Sequence, residues 1–428
     1  MRRPWLALSL GSALLVAPTA SAGVLVVDAA NGPGTDFISL SAAIAAASSG
    51  DVLLVRSGTY AGNFVVAGKS LSIVADENAV VSLLSSGPVA LPALELGSQG
   101  NQPFVVRGLQ LGTSQPGAPA LAVRGAATGS SHAFLEECTI TNVADVALLM
   151  DNVSPATVSR CTLNGVDGSI ASGLLGTPAL VVEDGPLGTF GGFLQGGIGR
   201  DAGLLMGVSP VPGQDGSPGA RVNAGDLTLK VFSGGIFVGG QGGDGAIGPG
   251  GCLAPGDGGD GILNAGAGPV FNAGSFGLGD LGGTAAPGCG PNGAQGDLLG
   301  KIPSSSLPVW LLGAVPGSVT LPRARREKQL VPITVQAPLE QSVSLLIGFA
   351  PTFTYVPLLN GVQVVAATSV VDLGQVPFTG TLSFQWRVPE LGPGVESMFL
   401  YLQPVSTQAN GVRTLGQPSV MLLLDGSL

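Results

Sequence analysis

Residues 24–81 read VLVVDAANGPGTDFISLSAAIAAASSGDVLLVRSGTYAGNFVVAGKSLSIVADENAVV. Leu40, Ala43, Ile44 and Ala47 recur at three- and four-residue spacing, which puts one apolar stripe on a helix. The spacing predicts a helix over residues 39–48, with Ser39 as its N-cap and Gly50 as a left-handed C-terminal cap. Three short β-rich runs follow, over 52–56, 63–66 and 71–74, punctuated by Gly58, Gly62 and Gly68. One amphipathic helix followed by a ladder of short strands predicts the N-terminal cap and first coil of a right-handed parallel β-helix.

Upstream, residues 1–22 have the pattern of a secretory signal peptide. Arg2 and Arg3 form its basic start, Trp5 to Val16 its apolar stretch, and Ala20-Ser21-Ala22 its cleavage site. The chain is therefore expected to be exported, to the cell surface or beyond. No other run approaches the roughly 18 apolar residues of a membrane helix. Only 10% of residues are charged and 45% are hydrophobic, scattered in runs of four to six, as suits strands in a stacked core. The net charge of −10 argues against nucleic acid as a partner. It also makes acidic polysaccharide a less attractive long-range target. Cys138, Cys161, Cys252 and Cys289 are an even set, open to disulfides in an exported chain, and no C-x-x-C pair suggests zinc or redox chemistry.

Downstream, the runs FVVRGLQL from Phe104, FLEECTIT from Phe134 and TVSRCTLN from Thr157 repeat, each followed by a second apolar run. One unit lasts roughly 23 to 32 residues and cannot bury its inner face without stacked neighbours. This alignment stacks Cys138 on Cys161, at the roughly 4.8 Å of adjacent strands, a separation a disulfide tolerates. It also stacks Arg107, Glu137 and Arg160, and Arg124, Asp151 and Glu183, as charge ladders on a solvated face.

Between residues 185 and 300, 39 of 116 residues are glycine, the fraction a collagen helix requires, but its strict period is not kept. The stretch reads instead as further coils with enlarged loops thrown out on one side, stapled by Cys252–Cys289. A Pro-rich boundary carrying Arg323, Arg325, Arg326 and Lys328, read as a solvated linker, closes a β-helix over 23–315. Beyond it, short strand-like runs about 12 to 20 residues apart predict a β-sandwich over 318–428. The expected fold class is thus all-β, a capped parallel β-helix followed by an antiparallel sandwich.

Asp36, Phe37, Ser39, Leu40, Ala42, Ala43, Ile44, Gly58, Thr59 and Tyr60 carry a resemblance. The stretch they span resembles the opening of pectin-lyase-like β-helix proteins, pectin methylesterases among them. The repeated C-T-I and C-T-L strands, glycine-rich coils and strand-rich C-terminus are similar to large families of secreted bacterial β-helix proteins. The resemblance implies the fold. It would imply carbohydrate ester hydrolysis only with the esterase strands, and no Q-A-V-A, D-F-I-F-G or G-R-x-D-P-like segment is present.

The residues themselves offer weak constellations. Arg160 with Asp151 and Asp167 is the one local grouping suited to a lyase, and Asp145, Asp151 and Asp167 could be proposed as glycosidase carboxylates. His132, the single histidine, lies in a loop-like segment without a nucleophile motif and reads as a surface residue. Asp244 and Asp260 sit in near matches to a calcium-binding glycine repeat, so calcium is the one candidate ion. Trp310 and Trp386 are the candidates for stacking on sugars. The reading that follows is an extracellular structural or interaction protein with no identifiable active site. Its partners would be extracellular polysaccharide or cell-envelope components. The alternatives are a polysaccharide-binding protein, or a lyase or hydrolase acting on uronate-containing glycans.

Overall fold

The computed structural model describes residues 22–428 apart from 88, 98–101, 114–116, 126–131, 144, 154, 206–208, 224–225, 227, 267, 298, 302–308 and 313–315. The signal-peptide segment lies outside the described residues. From Val24 onward the chain winds through three parallel sheets in turn. The first sheet has ten strands, from Val24–Val27 to Val309–Leu312. The second and third have eight each, from Gly58–Ala61 to Phe276–Leu278 and from Phe64–Ala67 to Leu299–Lys301. Each strand pairs with its counterpart one coil away, as Leu121 with Leu94 and with Leu148. Gly58, which punctuates the first β-rich runs, itself opens the first strand of the second sheet, Gly58–Ala61.

The cap is a helix over Leu40–Ala46, with Leu40, Ala43 and Ile44 buried on the first coil. The Ser39 hydroxyl accepts from the Ala42 amide at 3.4 Å. Gly50 does have a positive φ of 96°, but it lies in the loop beyond an extended Ala47 and does not close the helix. Lys69 takes that role, its ammonium donating to the carbonyls of Ala47, at 2.7 Å, and Ile44. It thereby satisfies acceptors the helix end leaves open.

The bend between the first and second sheets is a left-handed residue in successive coils: Gly108, Glu137, Arg160, Gly191, Gly234 and Gly274, with φ between 51° and 75°. Arg107 pairs with Glu136 and not with Glu137, so the first repeat is displaced by one residue from the sequence alignment. A one-residue slip turns a side chain to the opposite face. The second ladder is as read: Arg124 stacks on Asp151 and bonds it at 3.1 Å.

The C-terminal strands form a three-stranded and a six-stranded sheet. Val331, Ile333, Val335, Leu400, Leu402, Met421 and Leu423 fill the space between them. The alternate residues Tyr401, Val420, Leu422 and Leu424 point the other way, onto the outer face of the first solenoid sheet. That face presents Val24, Val26, Val52, Leu54, Val74, Val105, Phe134, Phe190 and Val231. The sandwich thus lies along the flank of the solenoid. Ser419–Leu424 is buried at every position because both faces of its sheet are covered.

Candidate functional site

Two regions concentrate polar groups, and they lie on different flanks. The first is the seam between solenoid and sandwich. Here the left-handed bend carries Glu137 and Arg160 beside Arg107 and Glu136. Arg107 and Glu136 are 1% and 0% exposed and lie 3.1 Å apart. Arg107 also donates to the backbone oxygens of Leu321 and Pro322, at 2.8 and 2.9 Å, and to that of Val420. Arg160 donates to Val319 O at 2.8 Å, to Ser419 Oγ at 2.9 Å, to Glu137 at 3.2 Å and to Glu136. Burial pushes the Glu137 carboxyl up, but the guanidiniums of Arg107 and Arg160 outweigh it and hold it below the usual range.

Arg323 reaches Ala79 O at 2.8 Å and Glu137 at 3.5 Å, and Arg325 reaches Glu77 at 3.0 Å. The basic run is therefore no solvated linker: two of its members fasten the sandwich, while Lys328 pairs with Glu390 on the surface. The bend itself does not demand glycine, since Glu137 and Arg160 hold the same left-handed conformation; a Cβ on Gly108 would press on the Arg323 side chain at 2.5 Å, and one on Gly191 on that of Gln417 at 2.6 Å.

His132 belongs to this seam and not to the surface. It is 5% exposed, its Nε2 lies 2.8 Å from Thr157 Oγ1, and Phe353 of the sandwich meets it edge-on. Burial pushes its pKa down to about 3. Behind the bend, Cys138 and Cys161 stack as read, yet both are free, buried thiols whose Sγ atoms face backbone carbonyls. Burial pushes the Cys161 thiol well up. The disulfide that their stacking allowed is not formed, while Cys252–Cys289 is, with Cα atoms 5.3 Å apart.

The lyase grouping comes apart. Arg160 is held under the sandwich beside the first sheet, and Asp151 ends a strand of the third sheet against Arg124. Asp167 lies beyond the second sheet, accepting from the Ile198 amide at 2.8 Å. Asp145 accepts from its neighbour Val146. Trp386 packs on the sandwich core, and Trp310 lies in the strand Val309–Leu312, its side chain outside what is described.

The second region is the glycine-rich flank. Here the connections from second to third sheet grow into paired arms, over 195–202 and 213–219, 238–245 and 254–261, 278–284 and 293–297. Hydrogen bonds join the outgoing arms at every third residue. Gly196, Gly199 and Ala202 donate to Val238, Gln241 and Asp244, and Gly239, Gly242 and Gly245 donate to Leu278, Leu281 and Thr284. Returning arms repeat this, Gly213, Gly216 and Gly219 donating to Ala254, Asp257 and Asp260. The two layers are cross-linked as well, through bonds such as Gly243 to Gln214 and Gly256 to Gly243.

A three-residue repeat with its hydrogen bonds made to neighbours is the signature of packed polyproline II helices. Glycine at every third place is what allows it. A Cβ on Gly197 would lie 1.7 Å from Val166 O, and one on Gly216 1.8 Å from Gly240 O. None of these arm glycines has a positive φ, so it is the missing side chain that matters. The collagen-like period runs along the arms, as in G-Q-D-G-S-P-G over 213–219, with Ala202 standing in for glycine at the end of the first, and it is lost at the tips that join arms. Aspartates take up amides the glycine pattern leaves over. Asp244 accepts from Thr284, Asp260 from Asp297, Asp201 from Asp244 and Asp257 from Ala294, all at 2.7–2.8 Å. The two calcium candidates thus sit on different layers, each bonded to an adjacent arm.

No protein-family model matches this sequence, and no curated protein matches it. Solved structures give loose superpositions. A pectin methylesterase in complex with a hexasaccharide aligns at 12% identity over 60% of this chain and 81% of that one, with a TM-score of 0.29. A mutant pectin methylesterase with another hexasaccharide gives 11%, 60%, 81% and 0.26. A superoxide reductase (neelaredoxin) from Ignicoccus hospitalis gives 12%, 25%, 80% and 0.16. Likeness at this level carries no argument about activity. The parallel coil rests on its own strand registers.

Proposed function

We propose that this chain is an exported, non-catalytic interaction protein of the cell surface or extracellular matrix, with the solenoid as a rigid scaffold and the glycine arms as its presenting surface. One observation carries the reading. The densest charged cluster among the described residues, Arg107, Glu136, Glu137 and Arg160, is spent on seating the sandwich. The carboxylates that would serve a lyase or hydrolase lie on separate flanks, each already bonded. The arms, by contrast, project a surface on which exposed aspartates such as Asp201, Asp244, Asp257 and Asp297 stand over a backbone-packed interior. Extracellular polysaccharide is the alternative partner, favoured by the open third-sheet ladder of Arg124 with Glu95 and Asp151.

The test exposes the mature protein to a panel of uronate polysaccharides, with and without calcium, and follows ultraviolet absorbance of unsaturated products together with ester release. A flat record is expected. Product growth in any lane overturns the reading.

A further inference from the structure

The outgoing glycine layer ends abruptly, and its last arm carries the donors of its predecessors without their acceptors. In the two preceding arms the amides at three-residue spacing each find a carbonyl on the next arm. Their equivalents in 278–284 are Gly279 and Gly282, whose amides have no acceptor among the described residues, while that of Ala285 is taken by Asn292 Oδ1. Leu278 and Leu281 immediately precede these glycines, again three apart, and are 69% and 61% exposed. Phe276, 69% exposed, and Ile236, 47% exposed, extend the same strip onto the second sheet.

From this edge we infer a docking site for a proline-rich segment of a partner protein, bound as one more polyproline II strand. Resting on the interaction reading above, this names its partner class. A polyproline II strand offers carbonyls on a threefold repeat, matching Gly279 and Gly282, and proline brings no amide to compete with them. Proline rings would cover Leu278 and Leu281, and the Phe276 ring is the kind of aromatic wall such segments use. A second copy meeting this edge about a twofold axis would set donors against donors.

The test titrates the mature protein into fluorescein-labelled decaproline and reads anisotropy, with a Gly-Ser peptide of equal length as control. Saturable binding of decaproline alone is expected, weakened at least about tenfold in a Leu278→Asp/Leu281→Asp variant whose melting temperature and circular dichroism are unchanged. Absence of saturation, equal binding of the control, or undiminished binding by the variant overturns the site. So does concentration-dependent dimerisation in sedimentation that the same variant abolishes. A failed titration leaves the non-catalytic reading standing, whereas lyase activity removes that reading whatever the peptide does.

Discussion

The flank covered by the sandwich and the flank that grows arms cover the solenoid by opposite means. On the first, side chains do the work: an apolar row from Val24 to Val231 meets Tyr401, Val420 and Leu422, and two buried and two half-buried charges fix the alignment. On the second, backbone packs on backbone, and side chains facing a neighbour have been removed. The reason is geometric. A strand in a sheet has hydrogen-bonded neighbours on two sides and points its side chains away from both. An arm in a two-layer bundle has neighbours in its own layer and in the other, so within the arm the third positions that face both have no room even for a methyl group, and alanine enters the series only at the tip, at Ala202.

That contrast can be broken by mutation. The largest effect is expected at the seam. Glu136→Ala leaves the buried Arg107 guanidinium with only the half-buried Glu137 as counter-charge and is expected to cost about 3–5 kcal/mol. Urea unfolding should show it, and limited proteolysis should release the C-terminal sandwich first. If stability is unchanged, the charges do not seat the sandwich. Next comes the staple between arm tips. Replacing Cys252 and Cys289 by serine is expected to cost about 2–4 kcal/mol, and hydrogen exchange should confine the loss to 239–297. Loss spread evenly over the coils would mean the arms are not a separate unit.

Gly216→Ala adds a single methyl group against Gly240 O and is expected to cost about 1–3 kcal/mol. Gly250→Ala, where a Cβ meets nothing within 4 Å, should cost little. Equal effects at the two glycines would sink the backbone-packing account. The smallest effect is a slope. Folded His132 takes a proton only near pH 3, whereas the unfolded imidazole takes one near pH 6.5. The unfolded state therefore gains the proton as pH falls between these values. Stability falls by at most about 1.4 kcal/mol per pH unit, with no effect above pH 6.5. A His132→Gln variant should lose that slope in denaturant titrations from pH 7 to 4.

Much of the architecture was legible in the sequence. The i, i+3, i+4 stripe from Leu40 to Ala47 is a local signal, as is the strand ladder after Val52, and both depend on side-chain periods the chain carries within itself. The stacking of Cys138 on Cys161 followed from one repeat aligned on another. The seam did not, because Arg160 and Glu137 are partnered by Val319, Ser419 and Arg323, more than 150 residues away. His132 looked like a loop residue for the same reason: Phe353 covers it. One signal was available. Strands such as Phe104–Arg107 and Ala156–Ser159 are buried at all four positions, and apolar residues at both parities of 104–106 already imply a second covered face.

The glycine arms were half legible. Their composition was plain, and the three-residue spacing is present in each, but it restarts out of phase at every tip, so a single period through 185–300 fails. By itself the sequence determined the capped parallel coil and the C-terminal strands, because these depend on short-range periodicity and on residues that recur; which cysteines pair was left to the tertiary structure. Only the tertiary structure decided that the sandwich lies along the flank, that the charged ladder is buried beneath it, and that the glycine loops pair into two layers. Each of these is a contact between segments far apart in the chain, chosen by shape and by which backbone groups still lacked a partner.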